Sequence, residues 1–104
     1  MTMGIQVEII KDNEETIKLV ISGKFGNVIQ KEFRKAYEEN KAKAYVIDLG
    51  NVENMDSSGL GMMLLMRDFV GGENSDIEII NCSDHILDIL KVTCFYKLFK
   101  INQF

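Results

Sequence analysis

The chain has 104 residues, 46% of them hydrophobic, a formal net charge of −4 and two cysteines. That length closes one core and is too short for two. The acidic balance excludes the basic stripe of a nucleic-acid scaffold and attraction to anionic lipid by bulk charge.

The opening "MTMGIQVEII" has no basic n-region and no cleavage-type ending, so no signal peptide is expected. No apolar run approaches the roughly 20 residues that cross a bilayer, which predicts a soluble, cytoplasmic chain without direct membrane insertion. Cys82 and Cys94 are too far apart for a zinc site or a Cys-x-x-Cys redox pair. Their apolar neighbours predict two small buried side chains.

In chain order, Ile5, Val7 and Ile9 alternate with Gln6 and Glu8 as one buried face of a strand. "KDNEE" is a polar turn, and Ile17, Leu19 and Ile21 repeat the alternation, so the two segments read as an antiparallel hairpin. "GKFG" (Gly23 to Gly26) breaks the pattern. Asn27, with Gln30 three residues on, predicts a capped helix. Its inward stripe is Ile29, Phe33, Ala36 and Tyr37.

In "AYVIDLG", Val46, Ile47 and Leu49 crowd together as in a central strand covered on both faces. "GNVENMD" reads as a loop, followed by a helix from about Ser57 to Val70. After the turn "GGENSD", Ile77 to Ile80 form a strand, and Ser83 caps a third helix with Ile86, Ile89 and Leu90 inward. A short strand near Leu98 to Ile101 closes the chain. The whole reads as a single α/β domain over residues 1–104, a mixed four- to five-stranded sheet with helices packed against it.

The chemistry concentrates at Asp56-Ser57-Ser58-Gly59, where a central strand hands over to a helix. Carboxyl ends of strands are the usual place for sites in open α/β sheets. Asp56 is placed to cap the helix, and Ser57 and Ser58 fall in its first turn, near free N–H groups and the positive end of the dipole. Gly59 and Gly61 clear the surface for close approach of another backbone. Leu60, Met62, Met63, Leu64, Leu65, Met66, Phe69 and Val70 then cover most of the helix circumference. A helix lying on a sheet buries one face, so part of this surface is expected to face outward as an interaction patch.

The stretches "YVIDLGNVENMDSSGLGMMLLM" and "IEIINCSDHILDILKVTCFYKLFKI" together resemble STAS-domain proteins, specifically bacterial anti-sigma factor antagonists. The resemblance covers the whole chain, and Asp56-Ser57-Ser58-Gly59-Leu60-Gly61 is its most specific part. It implies that Ser57, ahead of Ser58, is a phosphoacceptor. It also implies a partner-binding surface formed by Asp56, Ser58, Gly59, Leu60, Gly61, Met62 and Met63, with Lys24 and Phe25 from the preceding turn. The implied partners are an anti-sigma factor, often also a serine protein kinase, and a serine phosphatase. On this reading the unphosphorylated form sequesters the anti-sigma factor and frees a sigma factor, and phosphorylation ends the binding. The sequence departs from the family where Lys24 and Gly26 replace acidic residues, and where Cys94 takes the place of a glycine.

Two other readings stand beside this one. A stand-alone STAS subunit regulating a transport assembly or another signalling output would share the same core. A hydrolase using Ser57 or Ser58 with His85 lacks the Gly-x-Ser-x-Gly elbow. "GGENSD" lacks the Lys-Ser/Thr of a phosphate-binding loop, and no His, Cys and carboxylate spacing suits a metal. Neither catalysis, a cofactor nor a nucleic-acid partner is therefore expected.

Overall fold

The computed structural model describes residues 6–104. The part of the first-strand expectation that rests on Ile5 lies outside them. The elements run β1 (Val7–Lys11), β2 (Thr16–Phe25), α1 (Gln30–Glu38), β3 (Ala44–Met55), α2 (Ser57–Phe69), β4 (Ile77–Ile80) and α3 (Asp84–Val92). They form a single α/β domain with one four-stranded sheet in the order β1-β2-β3-β4. β1 and β2 are antiparallel, whereas β2 with β3 and β3 with β4 are parallel.

The topology dictates the layering. Each crossover after β2 steps one strand further in the same direction, and right-handed crossovers of that kind put their helices on one face. The buried side chains agree. Leu19, Ile21, Ile47, Leu49, Ile77 and Ile79 share one cluster with Phe33 and Tyr37 of α1, Met63 and Met66 of α2, and Ile86 and Leu90 of α3. The opposite face carries Lys18, Val46, Asp48, Glu78 and Ile80, all half-buried, and Val20, which is buried but lies outside that cluster. β3 therefore alternates after all, with Tyr45, Ile47 and Leu49 inward and Val46 outward. Coverage on both faces was the wrong expectation, because every helix lies on the same side.

The hairpin forms as expected, with Val7 opposite Ile21 and Lys11 opposite Ile17. Ile9 nevertheless stays exposed, since β1 is an edge strand. β2 and β3 both run further than their sequences suggest. "GKFG" does not end β2 but continues it to Phe25, and "GNVENMD" is strand as far as Met55. Two bulges reconcile them. Between Val20 and Ser22 the partner advances from Asp48 to Asn51, and between Gly23 and Lys24 it advances from Val52 to Asn54. Each adds a residue to β3, so Leu49, Val52 and Met55 all reach the core at a spacing that plain alternation forbids. Asp48 secures the bend by accepting from the Gly50 N–H at 2.9 Å and from Asn81 Nδ2 at 3.2 Å.

The expected cap at Asn27 is not made. Residues Asn27–Ile29 form a 3-10 turn in which the Ile29 N–H bonds to the Gly26 carbonyl at 3.1 Å, and α1 begins only at Gln30. The inward stripe of α1 is as predicted. Phe25, Phe33, Tyr37 and Phe69 link in series with ring centroids 5.2, 5.5 and 5.5 Å apart, tying the end of β2 through α1 to the end of α2.

Ser83 caps α3 by accepting from the Ile86 N–H at 3.3 Å. Ile86 and Leu90 are buried and Ile89 half-buried. The expected last strand shrinks to one parallel bridge, Glu78 with Lys100. Cys82 is buried as predicted, but Cys94 is exposed in a left-handed turn at φ 60°. That conformation is the physical reason a glycine suits this position.

Candidate functional site

The site grows from the end of β3. Once the second bulge has brought Met55 into the core, the chain turns through Asp56 in an extended conformation and enters α2 at Ser57. Asp56 Oδ1 accepts from the Ser58 N–H at 2.8 Å and from the Gly59 N–H at 3.3 Å, the capping role expected of it.

The floor beneath Asp56 is Gly26, the residue that follows β2. A β-carbon on Gly26 would lie 2.7 Å from the Asp56 carboxylate, so glycine here makes room for the cap. Gly26 is extended, and close approach is its whole requirement. A β-carbon on Gly59 would lie 2.5 Å from the Phe25 carbonyl oxygen and 2.8 Å from Met55 Cγ. The first turn of α2 thus rests directly on the β2 backbone. Gly61 differs, because a β-carbon there meets nothing within 4 Å. Of the two helical glycines, one is needed for packing and the other leaves surface bare.

Ser57 is exposed, and its half-buried neighbour Ser58 lines a groove between α1 and α2. The groove is open, about 600 Å³ in volume, and has Gly61, Met62, Leu64 and Leu65 as its apolar lining. Asn27, Gln30, Ser58 and Asp68 supply its polar groups. Leu65 is 59% exposed, and Val28 in the 3-10 turn before α1 is 81% exposed.

The expected contact surface needs correction. Met62 is only 5% exposed, while Met63 and Phe25 are fully covered. Gly59 is also buried. These four build the platform under the site and, apart from the edge of Met62 in the groove, present nothing to a partner. Asp56, Ser57 and Lys24 are exposed, and Leu60 and Gly61 are half-buried. The outward apolar residues are instead Leu64, Leu65 and Val28. Counting the helical repeat forward from Gly61 finds Leu64, Leu65 and Asp68. Asn27 and Gln30 carry a capping signal in the sequence but none for a place beside α2, and Val28 carries neither, since only the tertiary fold brings α1 alongside.

His85 is exposed on α3 and lines a separate shallow cleft with Asp88, Ile89, Val92 and Thr93. The structure does not bring it to the serine turn. Among the described residues no group of three His, Cys, Asp or Glu side chains could hold a metal ion. No helix of the described residues is long and apolar enough to cross a membrane. Burial, and secondarily the Asp48 carboxylate, push the Cys82 thiol up to about 11.

Comparison with known proteins gives a consistent answer. The chain is 43% identical over 93 residues to a STAS-domain containing protein of Pseudomonas aeruginosa (strain UCBPP-PA14), covering 88% of this chain and 91% of that one. Among solved structures, an anti-sigma factor antagonist from Mycobacterium paratuberculosis superposes with a TM-score of 0.74 at 19% identity, over 91% of this chain and 84% of that one. The antagonist SpoIIAA superposes with a TM-score of 0.66 in its unphosphorylated form, at 16% identity over 82% of this chain and 81% of that one. Its phosphorylated form, from Bacillus, also scores 0.66, at 14% identity over 91% and 89%. The family model described as "Mlab, STAS domain" matches residues 10–99, and the chain belongs to the STAS-domain family.

Proposed function

We propose that this domain is a phosphorylation-controlled protein-binding module. Unphosphorylated, it sequesters an anti-sigma factor with serine kinase activity and so frees a sigma factor. Phosphorylation of Ser57 ends that binding, and a serine phosphatase restores it. The observation that carries the reading is the exposed Ser57 in the first turn of α2, whose neighbour Ser58 lines an apolar groove together with the bare Gly61. The antagonist fold shared with SpoIIAA supports the family of partners.

The electrostatics suit such a switch. A phosphate adds about −1.5 to −2 charges, and it would stand beside the exposed carboxylates of Asp56 and Glu53. Closing a partner over that cluster requires desolvating like charges at the rim of an apolar contact. The Ser58 and Gly59 N–H groups are already taken by Asp56. A phosphate on Ser57 therefore gains no new cage inside the domain and acts on the interface.

The test is to incubate the protein with candidate anti-sigma kinases of its host and ATP, map the phosphosite by mass spectrometry, and measure binding of Ser57→Ala and Ser57→Asp. Phosphate is expected on Ser57. Ser57→Ala should bind whether or not ATP is present, and Ser57→Asp should bind at least about tenfold more weakly, a loss near 1.4 kcal/mol. Equal binding by both variants and the wild type would sink the reading.

A further inference from the structure

The free edge of the sheet carries a second surface, unrelated to the serine turn. In the antiparallel β1–β2 ladder, the Ser22 N–H donates to the Gln6 carbonyl at 2.9 Å and the Asp12 N–H to the Thr16 carbonyl at 3.0 Å. Hydrogen-bonded pairs alternate along such a ladder, so the even-numbered residues of β1 face β2. The N–H and C=O groups of Val7, Ile9 and Lys11 point the other way, and no described residue pairs with them.

Edge strands are blunted by shortness, by charged side chains, by proline or by a bulge, and β1 is short, with Glu8 and Lys11 on either side of its centre. Here the chain has no proline at all, the β1 register is regular, and the central edge residue is an exposed isoleucine. Ile9 and Val7 also line a cleft of about 280 Å³ against α1, bordered by Glu32, Lys35, Ala36 and Glu39.

We infer that this edge pairs with a second copy of the same chain, β1 against β1, antiparallel about a two-fold axis at Ile9. The segment is self-complementary in that register. Ile9 meets Ile9, and Val7 meets Lys11 of the other copy, in pairs that exchange about six backbone hydrogen bonds in all. Side chains of odd-numbered residues lie on the helix side. Lys11 of one copy therefore comes over the cleft that Glu32 and Glu39 border on the other. Across the seam two Lys11 and two Lys35 balance two Glu32 and two Glu39.

A five-residue strand buries little area, so the association is weak, and concentration controls it. Glu32 and Glu39 lie on the flank of α1 away from Gln30, which lines the groove beside the serine turn. Both serine sites of the pair stay open.

Sedimentation velocity on the full chain from about 10 µM to about 1 mM tests this, alongside amide exchange by NMR at both ends of that range. The average mass should rise from one chain toward two. Protection at Val7, Ile9 and Lys11 should rise severalfold with concentration, while Glu8 and Ile10 stay unchanged. Ile9→Pro removes an outward N–H without touching the β1–β2 ladder, and Ile9→Lys places a charge at the centre. Each should abolish the mass increase. A chain that stays monomeric throughout would overturn the inference. So would association that survives both variants, or a rise in mass without protection at the odd-numbered amides.

Discussion

Gly59 and Gly61 sit on one helix, two residues apart, and the same substitution should move the domain in opposite directions. Replacing glycine with alanine in a helix interior gains about 0.5–1 kcal/mol from backbone entropy. At Gly61 the new methyl meets nothing within 4 Å, so Gly61→Ala should keep that whole gain. At Gly59 it would sit 2.5 Å from the Phe25 carbonyl oxygen and 2.8 Å from Met55 Cγ. The first approach is roughly 1 Å inside van der Waals contact, and its partner is backbone locked in register with Met55 across the sheet. The methionine can swing aside, but the carbonyl cannot without dragging β2. Overpacking of this kind costs about 1–3 kcal/mol, so Gly59→Ala should come out about 1–2 kcal/mol less stable than wild type. For a domain of this size each kcal/mol moves Tm by roughly 4–8 °C. Urea unfolding followed by circular dichroism, with matched slopes, would measure both. If Gly59→Ala is as stable as Gly61→Ala, the close seating of α2 on the β2 backbone is wrong. In partner binding the order should reverse against stability, with Gly61→Ala weaker despite its firmer fold, because its methyl enters the groove.

Asp56→Ala should lose about 1 kcal/mol as the Ser58 and Gly59 N–H groups lose their acceptor, while Asp56→Asn keeps most of it; thermal melts of the pair read this directly. Cys94→Gly should stabilise by about 1 kcal/mol, since φ 60° costs any residue with a β-carbon; unchanged Tm would refute the strain. A thiol reagent at pH 8 should modify Cys94 quickly and reach Cys82 only on unfolding, because Cys94 is exposed and burial raises the Cys82 thiol to about 11. That raised value also has a stability consequence. Its contribution is complete below the ordinary value of 9.0 and is lost as pH climbs toward 11. The gap in Tm between wild type and Cys82→Ala should therefore shift against the wild type across that window.

The parts of the fold legible in the sequence are those with unbroken periodicity. Leu19 and Ile21, the Phe33–Ala36–Tyr37 stripe, and the Asp56 and Ser83 caps each carry their signal within a few residues, and each is where the sequence places it. The β3 bulges hid the rest. Leu49, Val52 and Met55 follow neither period two nor 3.6 cleanly, so in sequence this strand looks like a loop. The burial of Met62 and Met63 was equally illegible in a helix apolar on nearly every side. Sorting inward from outward there depends on where the sheet lies, as does the contribution of Asn27 and Gln30 to the groove.

The position of Gly26 under Asp56 has a consequence for how such a domain can change its allegiance. The cap, the floor beneath it and the seat of Gly59 form a tightly fitted unit in which a β-carbon at Gly26 or Gly59 would collide. Leu64, Leu65 and Asp68 lie outside that unit, on the free side of the helix. A lineage could rewrite those three residues to suit a new partner while inheriting the serine turn intact. The grammar of the signal and the address to which it is sent are kept on separate turns of one helix.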